Sequence, residues 1–88
     1  MLLNGRVIKG DKVLFDRSLR DTCVQDAPFR DKLEDCLILL CKEADIAAPI
    51  WLTKNSRELG GFRKTAFLAE QFAEPVRFDR FEIKILEP

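Results

Sequence analysis

Few residues in this chain could support catalysis or hold a metal ion. The sequence contains three cysteines and no histidine. The absence of histidine excludes Ser-His-Asp and Cys-His catalysis and every histidine-containing metal site. Cys36 and Cys41 would lie about 140° apart around a helix, and only Cys23 could add a third thiolate. No Cys-x-x-Cys pair exists, so we interpret the thiols as buried structural groups.

Two other patterns superficially resemble chemical sites. Gly60 and Gly61 are followed by Phe-Arg-Lys, but a phosphate-binding loop needs a different order and spacing of these residue types. Asp79 or Glu82 beside Arg80 would be the carboxylates of a histidine-free enzyme, although such charges on a strand are typical of a solvated surface. The sequence therefore predicts a non-enzymatic protein without a cofactor or a metal ion.

The composition indicates one small domain with a hydrophobic core. The chain has 88 residues and is 47% hydrophobic, which predicts a single domain over residues 1–88. Fifteen basic residues balance fifteen acidic ones. A net charge of zero argues against a general polyanion-binding protein, and it provides little repulsion against self-association.

No segment of the sequence predicts secretion or membrane insertion. The longest uncharged apolar run, residues 36–41, has six residues, whereas a membrane helix needs about 20. The number of cysteines is odd and no signal peptide is recognisable. We therefore expect a bacterial-type cytoplasmic protein with no membrane association.

A β-hairpin is predicted near the N terminus, where apolar residues alternate over residues 3–8 and 12–18. A three-residue loop at residues 9–11 is preferred because it places Phe15 opposite Gly5, where the ring covers the glycine. A two-residue turn is the alternative, and it would mix apolar and polar side chains on both faces.

A first helix is predicted over residues 26–45, with Asp26 as the N-cap and Pro28 in the first turn. Most apolar residues share one face of this helix, and charged residues share the other. Ile38 lies in the middle of the charged face and Leu39 at its edge. Ile38 is either a single exposed apolar residue or a contact with a protein partner.

The rest of the chain is expected to pack against residues 55–72. Asn55 is predicted as an N-cap, with Thr53 as a competing cap. The glycines at 60–61 weaken the helix, and they could mark a kink, a break or a close backbone approach. We prefer a kink followed by a firm helix over residues 62–72. The apolar arc of this helix is broad, which suggests more than one neighbour.

The C-terminal pattern predicts a strand over residues 76–86 with a β-bulge at residues 79–80. The predicted fold class is therefore α+β: a small antiparallel sheet made of the N-terminal hairpin plus the C-terminal strand. Two helices would pack on one face of the sheet, in the order β-β-α-α-β.

The charges are segregated along the chain despite the zero total. Residues 27–48 carry three basic and five acidic side chains, a net charge of −2, and residues 49–73 carry four basic and two acidic ones, a net charge of +2. This segregation represents two solvated helix faces, a basic patch for nucleic acid, or charge matching between two copies of the chain.

Two functional hypotheses follow from these patterns. The first is a protein-interaction module that self-associates as a homodimer, with Ile38, Leu39 and Phe67 as the partner-binding residues. The alternative is a small nucleic-acid-associated protein. Its basic patch would surround the glycine pair and consist of Lys54, Arg57, Arg63 and Lys64.

Overall fold

The computed structural model describes residues 1–88 and contains a four-stranded antiparallel sheet and two α-helices. The elements are β1 (Leu2–Lys9), β2 (Lys12–Arg20), α1 (Phe29–Ala44), α2 (Thr53–Phe62), β3 (Lys64–Leu68), a 3₁₀ turn (Ala69–Gln71) and β4 (Arg80–Glu87). The strand order across the sheet is β2-β1-β4-β3. The predicted α+β class, with helices packed against an antiparallel sheet, is confirmed, and β3 is a strand that was not predicted. No helix has the length and apolar character needed to cross a membrane.

Both helices cover the same face of the sheet. Alternation along the strands directs one set of side chains toward the helices and the other set toward solvent. The strands contribute these buried apolar residues: Leu3, Val7, Phe67, Phe81, Ile83 and Ile85. The helices contribute Leu33, Cys36, Leu40, Cys41 and Leu59. The opposite face of the sheet carries mostly polar side chains, with the buried Ile8 and the exposed Leu68 and Leu86 among them. The main core is therefore a single layer between helices and sheet.

The hairpin closes through a two-residue turn rather than the predicted three-residue loop. Lys9 pairs with Lys12, and Gly10, the first residue of the turn, has a φ of 59°. Glycine in this position suits a type II′ turn, which matches the twist of the flanking strands. The preferred hairpin register was therefore wrong.

A bulge in β2 keeps the apolar side chains on one face of the sheet despite the two-residue turn. Ile8 pairs with Val13 and Val7 pairs with Phe15, so Leu14 is an extra residue without a partner in β1. One extra residue restores the alternation of buried and exposed positions beyond it. The short turn is therefore compatible with a consistent apolar face.

Gly5 faces Arg17 across the strands, not Phe15 as predicted. Its missing side chain leaves room for α1. A Cβ atom at Gly5 would lie 3.1 Å from Leu40 Cδ1 and 3.1 Å from Phe81 Cε1. Glycine at this position allows α1 to approach the sheet closely.

Helix α1 agrees with the prediction except at its start. It begins at Phe29, after Pro28, and no side chain caps its first turn, so the predicted N-cap at Asp26 was wrong. It ends before Asp45, which adopts a left-handed conformation with a φ of 57°. Ile38 is exposed, as the pattern of the charged face predicts.

The prediction for the central stretch was largely wrong. Helix α2 ends at Phe62, and Arg63 then turns the chain with a left-handed φ of 59°. Instead of a helix over residues 62–72, the chain forms β3, which pairs with β4 through Thr65 and Ile83. Alternation of buried and exposed residues along Lys64–Leu68 fits a strand once β4 supplies the hydrogen bonds.

Asn55 is not the N-cap of α2. The helix begins at Thr53, and Leu52 precedes it in an extended conformation. Asn55 therefore lies within the first turn, where its side chain is fully buried. A polar residue next to an apolar run resembles a cap in the sequence, but here tertiary contacts hold the side chain inside the fold.

The predicted C-terminal strand was too long. Strand β4 begins at Arg80, and the preceding residues are irregular rather than a bulged strand. Phe78 in this segment packs edge-on against Phe72, with ring centroids 5.2 Å apart. The apolar residues before β4 therefore serve a local aromatic contact.

Replacement of either glycine in α2 by alanine should stabilise the protein. A Cβ atom at Gly60 or Gly61 would meet no atom within 4 Å, and Gly10 is the only glycine with positive φ. The expectation that geometry requires one of the pair was therefore wrong. Gly60→Ala and Gly61→Ala should each raise the free energy of unfolding by about 0.5–1 kcal/mol. Denaturant titration measures the change, and a lower midpoint in either variant would contradict this account.

Candidate interaction surface

The two edges of the sheet are candidate surfaces for binding a partner strand. Strands β2 and β3 lie at the edges. An edge strand presents a row of backbone N–H and C=O groups that can pair with another chain unless the protein covers them. The state of these groups therefore decides whether an edge can bind a partner.

The edge of β3 is partly closed by two side-chain amides. Ile85 donates its N–H to the carbonyl of Arg63 at 2.8 Å. Backbone groups of alternate residues point to the neighbouring strand in an antiparallel pair, so those of Ala66 and Leu68 point outward. Asn55 Nδ2 donates to the Ala66 carbonyl at 3.0 Å, and the Leu68 N–H donates to Gln71 Oε1 at 3.0 Å. Two of the outward groups of Lys64, Ala66 and Leu68 are therefore already bonded: the Ala66 carbonyl and the Leu68 N–H.

The amides that close this edge belong to a satisfied buried network. Asn55 and Gln71 are 0% and 3% exposed. Asn55 Nδ2 also donates to Thr65 Oγ1 at 2.8 Å, and Asn55 Oδ1 accepts from the Leu52 N–H at 2.9 Å. Gln71 Nε2 donates to Asn55 Oδ1 and to the Ile50 carbonyl, both at 3.0 Å. No buried side-chain polar atom lacks a partner.

The edge of β2 is open. Asp21 donates its N–H to the Met1 carbonyl at 3.2 Å, which continues the β1–β2 ladder and sets its phase. Antiparallel strands direct alternate residues to the neighbour, so the backbone groups of Asp16, Ser18 and Arg20 point away from β1. None of these outward groups has a hydrogen-bond partner in the protein. They form a free template for an added strand.

The open segment has defined ends. At one end, the Thr22 N–H is held by Asp35 Oδ2 at 2.6 Å. At the other end, the bulge at Leu14 interrupts the regular ladder. The open segment therefore extends from Asp16 to Arg20.

Charged side chains flank this open segment on the polar face of the sheet. Asp16 accepts hydrogen bonds from Asn4 Nδ2 at 2.8 Å and from Arg6 Nε at 3.2 Å. The Asn4 hydrogen bond, with the Arg6 charge, lowers the pKa of Asp16, so the carboxylate is ionised at neutral pH. Arg20 pairs with Glu87 at 3.1 Å. A negative and a positive side chain therefore stand near the two ends of the open segment.

The partner-binding residues predicted from the sequence do not share one surface. Ile38 is 49% exposed on α1, and Leu39 beside it is half-buried. Phe67 is fully buried on β3, with its ring centroid 5.5 Å from that of Trp51 and 6.1 Å from that of Phe81. A side chain in this position has no area to offer a partner, so an interface role for Phe67 does not fit the structure.

The predicted basic patch is distributed over three elements of the fold. Lys54 and Arg57 lie on α2, and Arg63 is the residue at which this helix ends. Lys64 belongs to β3, where it lies opposite Lys84 on the polar face of the sheet. The four side chains were expected around a kinked helix at the glycine pair, and they instead lie on α2, at the turn that ends it and on β3.

The thiols are held in their protonated form. Cys36 and Cys41 are buried, and burial raises the pKa of each thiol to about 11. Burial, with the charge of Asp35 as the next cause, also raises the pKa of Cys23. The interpretation of Cys36 and Cys41 as buried structural groups agrees with these positions. No group of three or more His, Cys, Asp and Glu side chains is placed to hold a metal ion.

The carboxylates considered for catalysis have structural partners. Asp79 Oδ2 accepts the Gly10 N–H at 2.6 Å, which ties the hairpin turn to the start of β4. Glu82 Oε2 accepts a hydrogen bond from Arg80 Nε at 2.9 Å. These contacts assign both carboxylates to local structure.

Comparison with known proteins finds no matching family model, no matching curated protein and no matching solved structure. A functional inference for this chain therefore depends on its own geometry. The strongest asymmetry in that geometry is the contrast between the partly closed edge of β3 and the open edge of β2.

Proposed function

We propose that this domain is a non-enzymatic protein-interaction module that self-associates, and that the outer edge of β2 is its contact surface. The observation that carries the proposal is the difference between the two edges. Asn55 and Gln71 bond two of the outward groups of β3, the Ala66 carbonyl and the Leu68 N–H, whereas none of the outward groups of β2 has a partner. An added strand would satisfy them by main-chain hydrogen bonds, which is a recurrent mode of protein recognition.

Other features of the chain support self-association at this edge. The net charge is zero, so two copies experience little overall repulsion. Val13 and Leu14, next to the open segment, are 50% and 55% exposed. The charges of Asp16 and Arg17 and the bulge are devices that limit indiscriminate edge pairing. They favour a selective contact over general aggregation.

Two other surfaces of the molecule are alternatives to the β2 edge. The exposed Ile38 on α1 is the competing contact surface. The nucleic-acid alternative has less support, because its four basic residues are distributed over α2, the turn that ends it and β3. We also propose a cytoplasmic location, since all three cysteines are free thiols, as expected in a reducing compartment.

Ser18→Pro is expected to weaken self-association by at least about tenfold. The Ser18 N–H points away from β1, so proline removes a donor for an added strand while the β1–β2 ladder keeps its bonds. Sedimentation equilibrium over a micromolar concentration range measures the association constant, and circular dichroism confirms that the variant is folded.

Two control variants separate the backbone effect from other causes. Ser18→Ala removes the Oγ that accepts a hydrogen bond from Asn4 Nδ2 at 3.1 Å but keeps the backbone N–H, so association should persist. Ile38→Glu should leave association unchanged if β2 is the contact. A loss of association in Ile38→Glu, with Ser18→Pro unaffected, would move the interface to α1. A wild-type protein that stays monomeric would refute self-association.

A further inference from the structure

We infer that the strand received by the β2 edge is β2 of a second copy, antiparallel, with Ser18 on the two-fold axis and Asp16 opposite Arg20 of the other copy. This inference rests on the proposed function and adds the identity and the register of the partner. It follows from two independent features of the open segment: the phase of its free backbone groups and the order of its charges.

The phase of the backbone groups limits the registers that a two-fold contact can adopt. Outward groups must meet outward groups, and a two-fold axis perpendicular to the sheet keeps side chains on their own face. The open segment from Asp16 to Arg20 has Ser18 at its centre. Pairing about Ser18 therefore matches every outward group of one copy with one of the other, in about six N–H···O bonds.

The charges, together with the bonded N–H of Thr22, distinguish this register from its neighbours. A shift of the axis to Leu19 would place Asp16 opposite Thr22, whose N–H is already held by Asp35. A shift of the axis to Arg17 would place Arg17 opposite its own copy, and a shift to Asp16 would do the same for Asp16. Like charges directly opposite each other destabilise a strand pair. The axis at Ser18 instead creates two pairs of opposite charge, since each Asp16 faces an Arg20.

The side chains needed for these pairs are accessible in the monomer. Asp16 and Arg20 retain 43% and 62% of their side-chain exposure, although each has an ion-pair partner within its own chain. Exposed ion pairs of this kind are weak, so the side chains can rearrange to share a second partner. The resulting assembly would join two sheets through β2 with both sets of helices on one side.

A charge exchange tests the register. Asp16→Arg puts arginine opposite arginine twice in the homodimer, and Arg20→Asp puts aspartate opposite aspartate twice. Each variant alone should associate roughly tenfold more weakly than wild type. An equimolar mixture should form heterodimers with an affinity near that of wild type, because both cross-strand pairs again carry opposite charges. Sedimentation and native mass spectrometry give the affinity and the species.

The mixing experiment separates the register from local damage. Each variant loses its contact with Arg6 or Glu87 within its own chain, and mixing does not restore that contact. Recovery in the mixture therefore requires the cross-strand pairs. If one variant does not fold, Asp16→Lys with Arg20→Glu repeats the exchange with other side chains.

The outcomes of the experiment test the register and the contact at β2 separately. A mixture no tighter than its components would overturn the register, while loss of association in Ser18→Pro would still support the contact at β2. A wild-type chain that is monomeric at all concentrations would overturn both. Tight association in the mixture of the two charge variants, but in neither variant alone, would support the register. This association should weaken in high salt.

Discussion

Asn55→Ala is expected to lower the free energy of unfolding by about 2–4 kcal/mol, a large effect for a small domain. The substitution removes an amide that bonds with Thr65 Oγ1, the Ala66 carbonyl and the Leu52 N–H. It also removes the acceptor of Gln71 Nε2. Groups buried without partners cost more free energy than the hydrogen bonds themselves contribute.

Chemical denaturation measured by fluorescence of the single tryptophan tests this expectation. Asn4→Ala is the matched control, because Asn4 Nδ2 donates to Asp16, Ser18 and the Arg17 carbonyl on the exposed face. Water can replace those bonds, so the control should lose less than about 1 kcal/mol. Equal losses in the two variants would show that the buried network has no special role.

Gly5→Ala is expected to lower the free energy of unfolding by about 1–3 kcal/mol. The added methyl group would lie 3.1 Å from both Leu40 Cδ1 and Phe81 Cε1, and both of these side chains are fully buried. Neither can withdraw without disturbing the core, so α1 must shift away from the sheet. Gly5→Val should cost more than Gly5→Ala.

The same change at Gly61 is the control for Gly5. Gly61→Ala adds an identical methyl group in open space and should stabilise the protein. Thermal melts of the two alanine variants should therefore move in opposite directions. A Gly5→Ala variant as stable as wild type would show that α1 is not in tight contact with the sheet at this point.

The elements that the sequence predicts well are those with a local signal. The hairpin, α1 and β4 each have a repeating apolar pattern that suits one type of structure. The stretch after Phe62 fits two periods: apolar residues recur at helical spacing, while Thr65 and Phe67 also alternate with exposed residues. Pairing with β4 decides between the periods, and that contact depends on a distant part of the chain.

The candidate contact surface could not be predicted from the sequence, for a related reason. Whether β2 is an edge strand depends on the strand order, and no local pattern encodes that order. The closure of the β3 edge depends on Asn55 and Gln71 meeting inside the fold, although each resembles an ordinary polar residue in the sequence. Ile38 was placed correctly because the charged face of one helix is a local property.

The hydrogen bonds at the edge of β3 bear on the size of any assembly built by strand addition. A chain with two free edges can bind copies on both sides and grow into a filament. Here the Ala66 carbonyl and the Leu68 N–H of β3 are already bonded, so strand addition would favour β2, and pairing through β2 would use that template in both copies. In such an assembly Asn55 and Gln71 would disfavour growth beyond two copies, and a chain that lost them would offer a second edge for pairing.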